Sequence, residues 1–90
     1  MAVMLIATVP GGDRQQQQRM YDQIGDKLVG QDGFLFHGAG PTEDGWRLYE
    51  VWESRDQLDA WLQGSVFPNL PDDAPRPSMD VVPIEVVLRP

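Results

Sequence analysis

The chain has no cysteine, one histidine and one asparagine. Without cysteine there is no disulfide to staple a small fold and no thiolate to hold a metal. A lone histidine excludes a multi-histidine zinc site, and no other metal-ligand spacing is present. Basic residues are scarce: seven Lys and Arg stand against fourteen Asp and Glu, for a net charge of -7. Phosphate backbones demand a basic patch, so nucleic acid is not an expected partner. An anionic membrane surface is disfavoured for the same reason. The acids are dispersed rather than clustered, which is the pattern of a solubilising surface. Long apolar runs are missing too. The opening MAVMLIATVP has no basic region before it and stops at Pro10, so it reads as neither a signal peptide nor a membrane span, and a cytoplasmic protein is expected. Ninety residues make a single domain, 1–90, with a modest core. Dimerisation is the remaining way to bury more apolar surface.

What is present is concentrated in residues 44–62, DGWRLYEVWESRDQLDAWL, which hold all three tryptophans and one of the two tyrosines. Residues 46–53 alternate as a strand does. Ser54 is a natural helix cap with Gln57 at the capping-box position, and Leu58, Trp61 and Leu62 then share one helical face. This second helix is expected to end near Gly64. Upstream, residues 3–9 form an apolar strand, buried on both faces and bounded by Pro10-Gly11-Gly12. Asp13 caps a helix over 14–29, with Gln17, Met20, Tyr21, Ile24 and Leu28 on its apolar stripe. Gly30 stands where a left-handed terminal residue belongs. Residues 34–39 make a second strand after Gly33, and the turn 40–45 joins it to the third as an antiparallel hairpin. Residues 65–80 hold Pro68, Pro71, Pro75 and Pro77 and read as a long loop with at most a short helical turn, with Val66, Phe67 and Leu70 as anchors. A last strand, 81–88, carries Pro83 near its start, the mark of an edge or a bulge.

The order βαββαβ is the ferredoxin-like α+β arrangement: a four-stranded antiparallel sheet with helices on one face. In the first strand Val3, Leu5 and Ala7 alternate with Met4 and Ile6, so both faces are apolar. A second copy covering the bare face is the simplest resolution, and a homodimer is expected.

The run GFLFHGAGPTEDGWRLYEVWESRDQLDAWL resembles the dimeric α/β-barrel superfamily, in particular small proteins of the antibiotic-biosynthesis monooxygenase type. The likeness is most specific at Asp44-Gly45-Trp46, at Val51-Trp52-Glu53-Ser54 and in the helix that follows. It implies two βαββαβ subunits whose sheets pack into one barrel, with a pocket between sheet and helices. Some members of the group oxidise aromatic polyketides without metal or flavin; others degrade haem, or isomerise or cyclise small molecules. The monooxygenase members rely on a pocket asparagine and tryptophan, and the haem degraders on an Asn, Trp and His set. Here the only asparagine is Asn69, in the Pro-rich segment, and the first strand offers only Thr8 as a polar side chain.

His37 is the one side chain whose type exchanges protons near neutral pH. Its plainer reading is a packed histidine satisfied by one hydrogen bond. Its neighbours depend on hairpin register. With the turn centred between Thr42 and Glu43, His37 lies opposite Leu48. Leu35, His37 and Ala39 then share a face with Trp46, Leu48, Glu50 and Trp52, and Glu50 is a diagonal neighbour able to orient the imidazole. A one-residue slip puts His37 with Arg47, Tyr49 and Val51 instead. His37 and Glu50 are therefore the candidate catalytic pair. Trp46, Tyr49, Trp52, Phe36, Trp61 and Phe67 are candidate substrate-binding aromatics, with core packing the plainer role for the tryptophans. For Tyr21 and Tyr49 a satisfied core or interface role competes with donation to a ligand. Arg47 is read as a surface ion pair or a carboxylate clamp.

Three functions compete. The first is a cofactor-free enzyme, monooxygenase-like, isomerase or cyclase, acting on a small apolar or aromatic polyketide-like metabolite, with residues 66–78 as a lid. The second is a non-catalytic small-molecule binder on the same fold. The third is a structural dimer with His37 packed and no cavity.

Overall fold

The computed structural model describes residues 1–73, 76–88 and 90. Strand β1, Ala2–Pro10, is followed by helix α1, Arg14–Val29, strands β2, Phe34–Pro41, and β3, Gly45–Trp52, helix α2, Arg55–Trp61, and strand β4, Ser78–Ile84. The sheet runs β2-β3-β1-β4 with every neighbouring pair antiparallel. This is the ferredoxin-like α+β fold, its two helices packed on one face of the sheet.

The local signals that start each helix act as their chemistry dictates. The Asp13 side chain accepts from the Gln16 backbone N–H at 2.8 Å, and Ser54 Oγ accepts from that of Gln57 at 3.2 Å. The Gln57 amide also donates to the Asp32 carboxylate at 3.3 Å, tying the start of α2 to the turn that feeds β2. Gly30 does not take the left-handed conformation expected of it, with φ at -85°. That conformation falls to Gly33, at φ 86°, which redirects the chain into β2 while its carbonyl accepts from the Glu53 N–H at 2.8 Å. Nor does the helical path stop near Gly64. It continues through a π-helical turn, Leu62–Val66, and a 3₁₀ turn, Phe67–Asn69.

The final strand spans Ser78–Ile84 rather than 81–88. Ser78 pairs with Thr8 at one end and Ile84 with Ala2 at the other; beyond Ile84, β1 presents no further strand residue. Pro83 is tolerated because β4 is an edge strand. β1 is buried only on its helix side. Val3, Leu5 and Ala7 are 8, 1 and 1% exposed, whereas Met4 and Ile6 on the other side are only half-buried.

The hairpin register differs from expectation by two residues. His37 pairs with Glu50, and Leu48 with Ala39. The cause is β1, which pairs Pro10 with Gly45 while the Gly11 N–H donates to the Asp44 carbonyl at 2.9 Å. A Cβ at residue 45 would collide with the Val9 carbonyl, so only glycine lets the two backbones approach there. A shift of two preserves the side-chain face. A bulge between Phe34 and Phe36 removes Leu35 from that face and puts Phe34 there instead, edge-on to Trp52 with ring centroids 5.6 Å apart.

Between sheet and helices lies a core of Val3, Leu5, Leu28, Trp52, Leu58 and Trp61, with Trp52 and Leu58 fully buried. Two glycine substitutions test the backbone argument. Gly33→Ala should destabilise the fold by about 1–3 kcal/mol, because alanine is strained at positive φ and its methyl would displace the Gln57 amide. Gly64→Ala meets no neighbour within 4 Å and has no positive φ, so it should be neutral or gain up to ~1 kcal/mol. Urea midpoints of the two variants against the parent check this.

Candidate functional site

The pleat places residues 46, 48, 50 and 52 of β3 on the helix side of the sheet, and the observed register brings His37 of β2 directly beside Glu50. Glu50 is 5% exposed. A carboxylate at that depth needs donors, and it has two. Trp52 Nε1–H donates to Oε1 at 3.0 Å, and His37 Nδ1 lies 2.8 Å from Oε2. A carboxylate only accepts, so Nδ1 carries a proton, and in the neutral imidazole Nε2 is then left with its lone pair. Tyr21, on α1, donates its hydroxyl to Nε2 at 2.8 Å, its ring standing edge-on to the imidazole. Three hydrogen bonds thus join Tyr21, His37, Glu50 and Trp52 in one chain across α1, β2 and β3.

The Tyr21 end of this chain opens on a cavity of about 630 Å³ between sheet and helices. Leu5 and Ala7 of β1, Leu48 of β3, Met79 of β4, Ile24 of α1 and Trp61 of α2 give it a mostly apolar wall, into which Tyr21, His37 and Glu50 also face. Gln16, Gln17, Arg19, Gln23, Asn69 and Asp73 complete its polar lining, and an apolar hollow with polar groups set in its wall is the makeup of a small-molecule site. Burial pushes the Tyr21 phenol above its ordinary pKa. The Trp46 indole N–H beside the hydroxyl works against that rise, and the Glu50 charge adds to it. The same N–H is buried and forms no hydrogen bond of good geometry, so Trp46 acts on Tyr21 by proximity alone.

The expected site residues separate into three groups. His37, Glu50 and Trp61 line the cavity. Trp46 and Trp52 stand behind it as buried supports, Trp52 holding the carboxylate and Trp46 flanking the phenol. Phe36, Tyr49 and Phe67 are corrections: none lines the cavity, and they are 55, 39 and 41% exposed. Phe36 pairs with Val51, and Tyr49 with Gly38 and Ile6, all on the far face of the sheet. Phe67 falls off the stripe Leu62, Val66, Asn69 and Leu70 that the helical continuation turns toward the cavity. Arg47, also on the far face, donates to Thr8 Oγ1 at 3.2 Å and forms no ion pair among the described residues. Asn69 donates to the Ser65 carbonyl at 2.6 Å.

Tyr21, read from the sequence as a satisfied core or interface tyrosine in competition with a ligand donor, is placed at the cavity wall against His37. Its signal was there, since it sits on the apolar stripe of α1 that must face the sheet. What no local pattern supplies is the histidine across the gap. Of the expected lid, Val66, Asn69, Leu70, Pro71, Asp73 and Pro77 line the cavity; residues 74 and 75 lie outside the described residues. Among the described residues no group of three His, Asp or Glu could hold a metal ion, and no helix is long and apolar enough to cross a membrane.

The fold recurs in solved structures. SnoaB, a cofactor-independent oxygenase from Streptomyces nogalater, superposes with a TM-score of 0.65 at 14% identity, over 97% of this chain and 95% of its own. A haem-degrading protein from Mycobacterium tuberculosis gives 0.67 at 19% identity, over 99% of this chain and 100% of its own. A conserved protein from Methanosarcina mazei gives 0.64 at 12% identity, over 91 and 92% of the two chains. At these identities the likeness is one of fold. A search of curated protein sequences gives no match. The family model described as antibiotic biosynthesis monooxygenase matches residues 1–69, which include every member of the Tyr21–His37–Glu50–Trp52 chain; this protein belongs to that family.

Proposed function

We propose that this protein is a cofactor-free enzyme that removes a proton from a small, mostly apolar aromatic metabolite of polyketide type and so starts its oxygenation, isomerisation or cyclisation. One observation carries the reading: the unbroken chain Tyr21–His37–Glu50 ending in the cavity wall. Glu50 fixes the tautomer of His37, as the carboxylate of a catalytic triad does. When Tyr21 oxygen accepts a proton from a substrate hydroxyl or enolisable C–H, its own proton passes to Nε2. The imidazolium that forms lies against the Glu50 carboxylate, so no uncompensated charge is buried. The substrate is left as an electron-rich phenolate or enolate. Dioxygen can take electrons from such an anion, and ring closure or isomerisation can proceed from it. The reverse transfer returns the proton to product. At neutral pH the raised phenol pKa keeps the resting proton on Tyr21, so the relay starts in one defined state.

Family likeness also raises haem. The residues present do not fit its iron. Both nitrogens of the only histidine are engaged, Nδ1 by Glu50 and Nε2 by Tyr21. The phenol, held protonated, is a poor anionic ligand. No step is assigned to that group.

A homodimer belongs to the same proposal. The sheet face away from the helices carries Met4, Ile6, Phe36, Tyr49, Val51 and Val82, an apolar surface that a lone subunit leaves in water. A second copy packed sheet to sheet covers it. Sedimentation at micromolar concentration should show a dimer, and Val51→Asp should shift it toward monomer. A stable folded parent monomer at that concentration would remove the dimer from the proposal.

Turnover is tested with a hydroxyanthrone and dioxygen, in the presence of a chelator and without added flavin. Oxygen uptake above the buffer rate is expected, with kcat lowered about 10²–10⁴-fold in Tyr21→Phe and His37→Ala. Full activity in His37→Ala sinks the relay. Thermal stabilisation by the compound without turnover leaves a binding protein.

The Tyr21 proton also predicts an alkaline signature. The folded state holds this proton more tightly than the unfolded chain. That stabilisation is complete below the ordinary phenol value and is lost as pH rises through the higher folded value. Denaturation midpoints of the parent should fall relative to Tyr21→Phe in that alkaline window, and the two should run parallel below it.

A further inference from the structure

One donor behind the cavity wall is unused. Among the described residues, Trp46 Nε1 is the buried side-chain polar atom that has no hydrogen-bond partner. An indole N–H can only donate, and leaving it unpaired in the interior is unfavourable. The ring has little room to seek another acceptor. Trp46 is 7% exposed, and its backbone is held between Val9 of β1 and Pro41 of β2. Gly12 closes the loop before α1 against it, where an added Cβ would come within 3.1 Å of the Trp46 Cβ. The N–H therefore stays beside the Tyr21 hydroxyl. That hydroxyl donates its own proton to His37 Nε2 and keeps lone-pair capacity to spare. A phenol oxygen is a modest acceptor, whereas a phenolate oxygen is a strong one.

We propose that Trp46 is a positioning residue whose indole N–H bonds the Tyr21 oxygen when that oxygen carries negative charge. Its role in turnover rests on the proposed relay through Tyr21; the contact itself does not. Two orders of transfer are open to the relay. If Tyr21 accepts the substrate's proton first, its oxygen carries two protons and a positive charge. If it first gives its own proton to His37 Nε2, the O–H bonding pair stays on oxygen, and a phenolate stands against an imidazolium. The phenolate then takes the substrate's proton, and Trp46 keeps its own throughout. A donor held at the oxygen favours the second order and opposes the first. A neutral donor suits the task, because it brings no net charge that would make the phenolate the resting form. Trp46 is not among the residues that line the cavity, so it acts on a bound molecule only through Tyr21.

The contact is tested by titrating Tyr21 alone. The chain has two tyrosines, so Tyr49→Phe, on the far face of the sheet, leaves Tyr21 as the sole phenol. Biosynthetic replacement of that tyrosine by difluorotyrosine lets it ionise at a milder pH, and phenolate absorbance follows the ionisation. His37 of β2 and Glu50 of β3 face this phenol, and Arg19 of α1 and Asp73 border the same cavity; all four are present in every sample. Adding Trp46→Phe keeps a ring and removes the N–H. It should disfavour the phenolate by about tenfold or more, the size of a hydrogen bond to a charged group. An unchanged titration in the folded variant overturns the proposal. Should Trp46→Phe not fold, the Trp46 indole N–H resonance of the fluorinated protein decides. A downfield move through the phenolate midpoint supports the contact, and a stationary signal overturns it. With hydroxyanthrone, Trp46→Phe should lose about tenfold in kcat at unchanged KM. A raised KM at unchanged kcat overturns the positioning role. If Trp46→Phe moves the phenolate equilibrium yet Tyr21→Phe turns over hydroxyanthrone at the parent rate, the relay has failed and the Trp46 contact stands.

Discussion

The arrangement of the site follows from one buried charge. Glu50 is 5% exposed, and a carboxylate at that depth is unstable unless donors face it. Trp52 can donate because it stands two residues along the same strand, on the same side of the pleat. His37 can donate because the hairpin register puts it directly across. Once its Nδ1–H is committed to the carboxylate, Nε2 of the neutral imidazole accepts, and the Tyr21 hydroxyl points to it. Proton positions through four side chains are thus fixed by the need to solvate one anion with protein groups. A two-residue register shift would put Leu48 or Trp52 opposite His37. A one-residue shift would turn His37 to the outer face. The second removes the His37 donor from the carboxylate, whereas the first keeps the two on one face as diagonal neighbours.

How far this was legible in the sequence depends on how far each signal reaches. Helix starts are set by groups three residues apart, and Asp13 with Gln16 and Ser54 with Gln57 behave as that spacing says. Strand parity has a period of two, so the sharing of one face by His37 and Glu50 was readable from the favoured hairpin. The offset along the strands was not. It is set by β1 approaching Gly45, a contact between segments more than thirty residues apart. The bulge at Leu35 leaves no local mark either. Tyr49 and Phe36 have the aromatic character of a pocket wall but the parity of the opposite face, and the structure follows parity. Tyr21 shows the opposite failure: its place on the sheet-facing stripe was visible, but a stripe does not reveal which polar group waits across the gap.

Cavity and core share one layer. Toward the paired ends of Val3 and Trp52, large rings and branched chains fill the space between sheet and helices: Phe34, Trp52, Leu58 and Trp61. Further along β1, from Leu5 through Ala7 to Val9, the wall bounds a void of about 630 Å³. A chain of ninety residues has little interior to spare. A void of this size forfeits dispersion contacts that close packing would have supplied. Its lining is therefore not explained by stability. The helical path beyond Gly64 contributes to the same end, since the π-helical and 3₁₀ turns carry Val66, Asn69 and Leu70 to the cavity where a helix ending earlier would have left its mouth wide.

The two faces of the sheet each depart from the usual rule in one respect. An antiparallel sheet with one bare face ordinarily turns apolar side chains inward and polar ones to water. Here the inward face carries His37 and Glu50 at its centre. The outward face carries Met4, Ile6, Phe36, Val51 and Val82, with Arg47, Thr8 and Asp80 among them. Neither face is at rest alone. The inner one borders a hollow of about 630 Å³, and the outer one has hydrocarbon in water. The two mismatches differ in kind, so one event cannot relieve both. A bound small molecule with polar groups of its own satisfies the first and leaves the outer hydrocarbon exposed. An apolar surface presented by another subunit satisfies the second and does not reach the hollow, because the sheet stands between them. The strands that hold Tyr21, His37 and Glu50 in register thus carry, on their other side, the exposed hydrocarbon on which the proposed dimer rests.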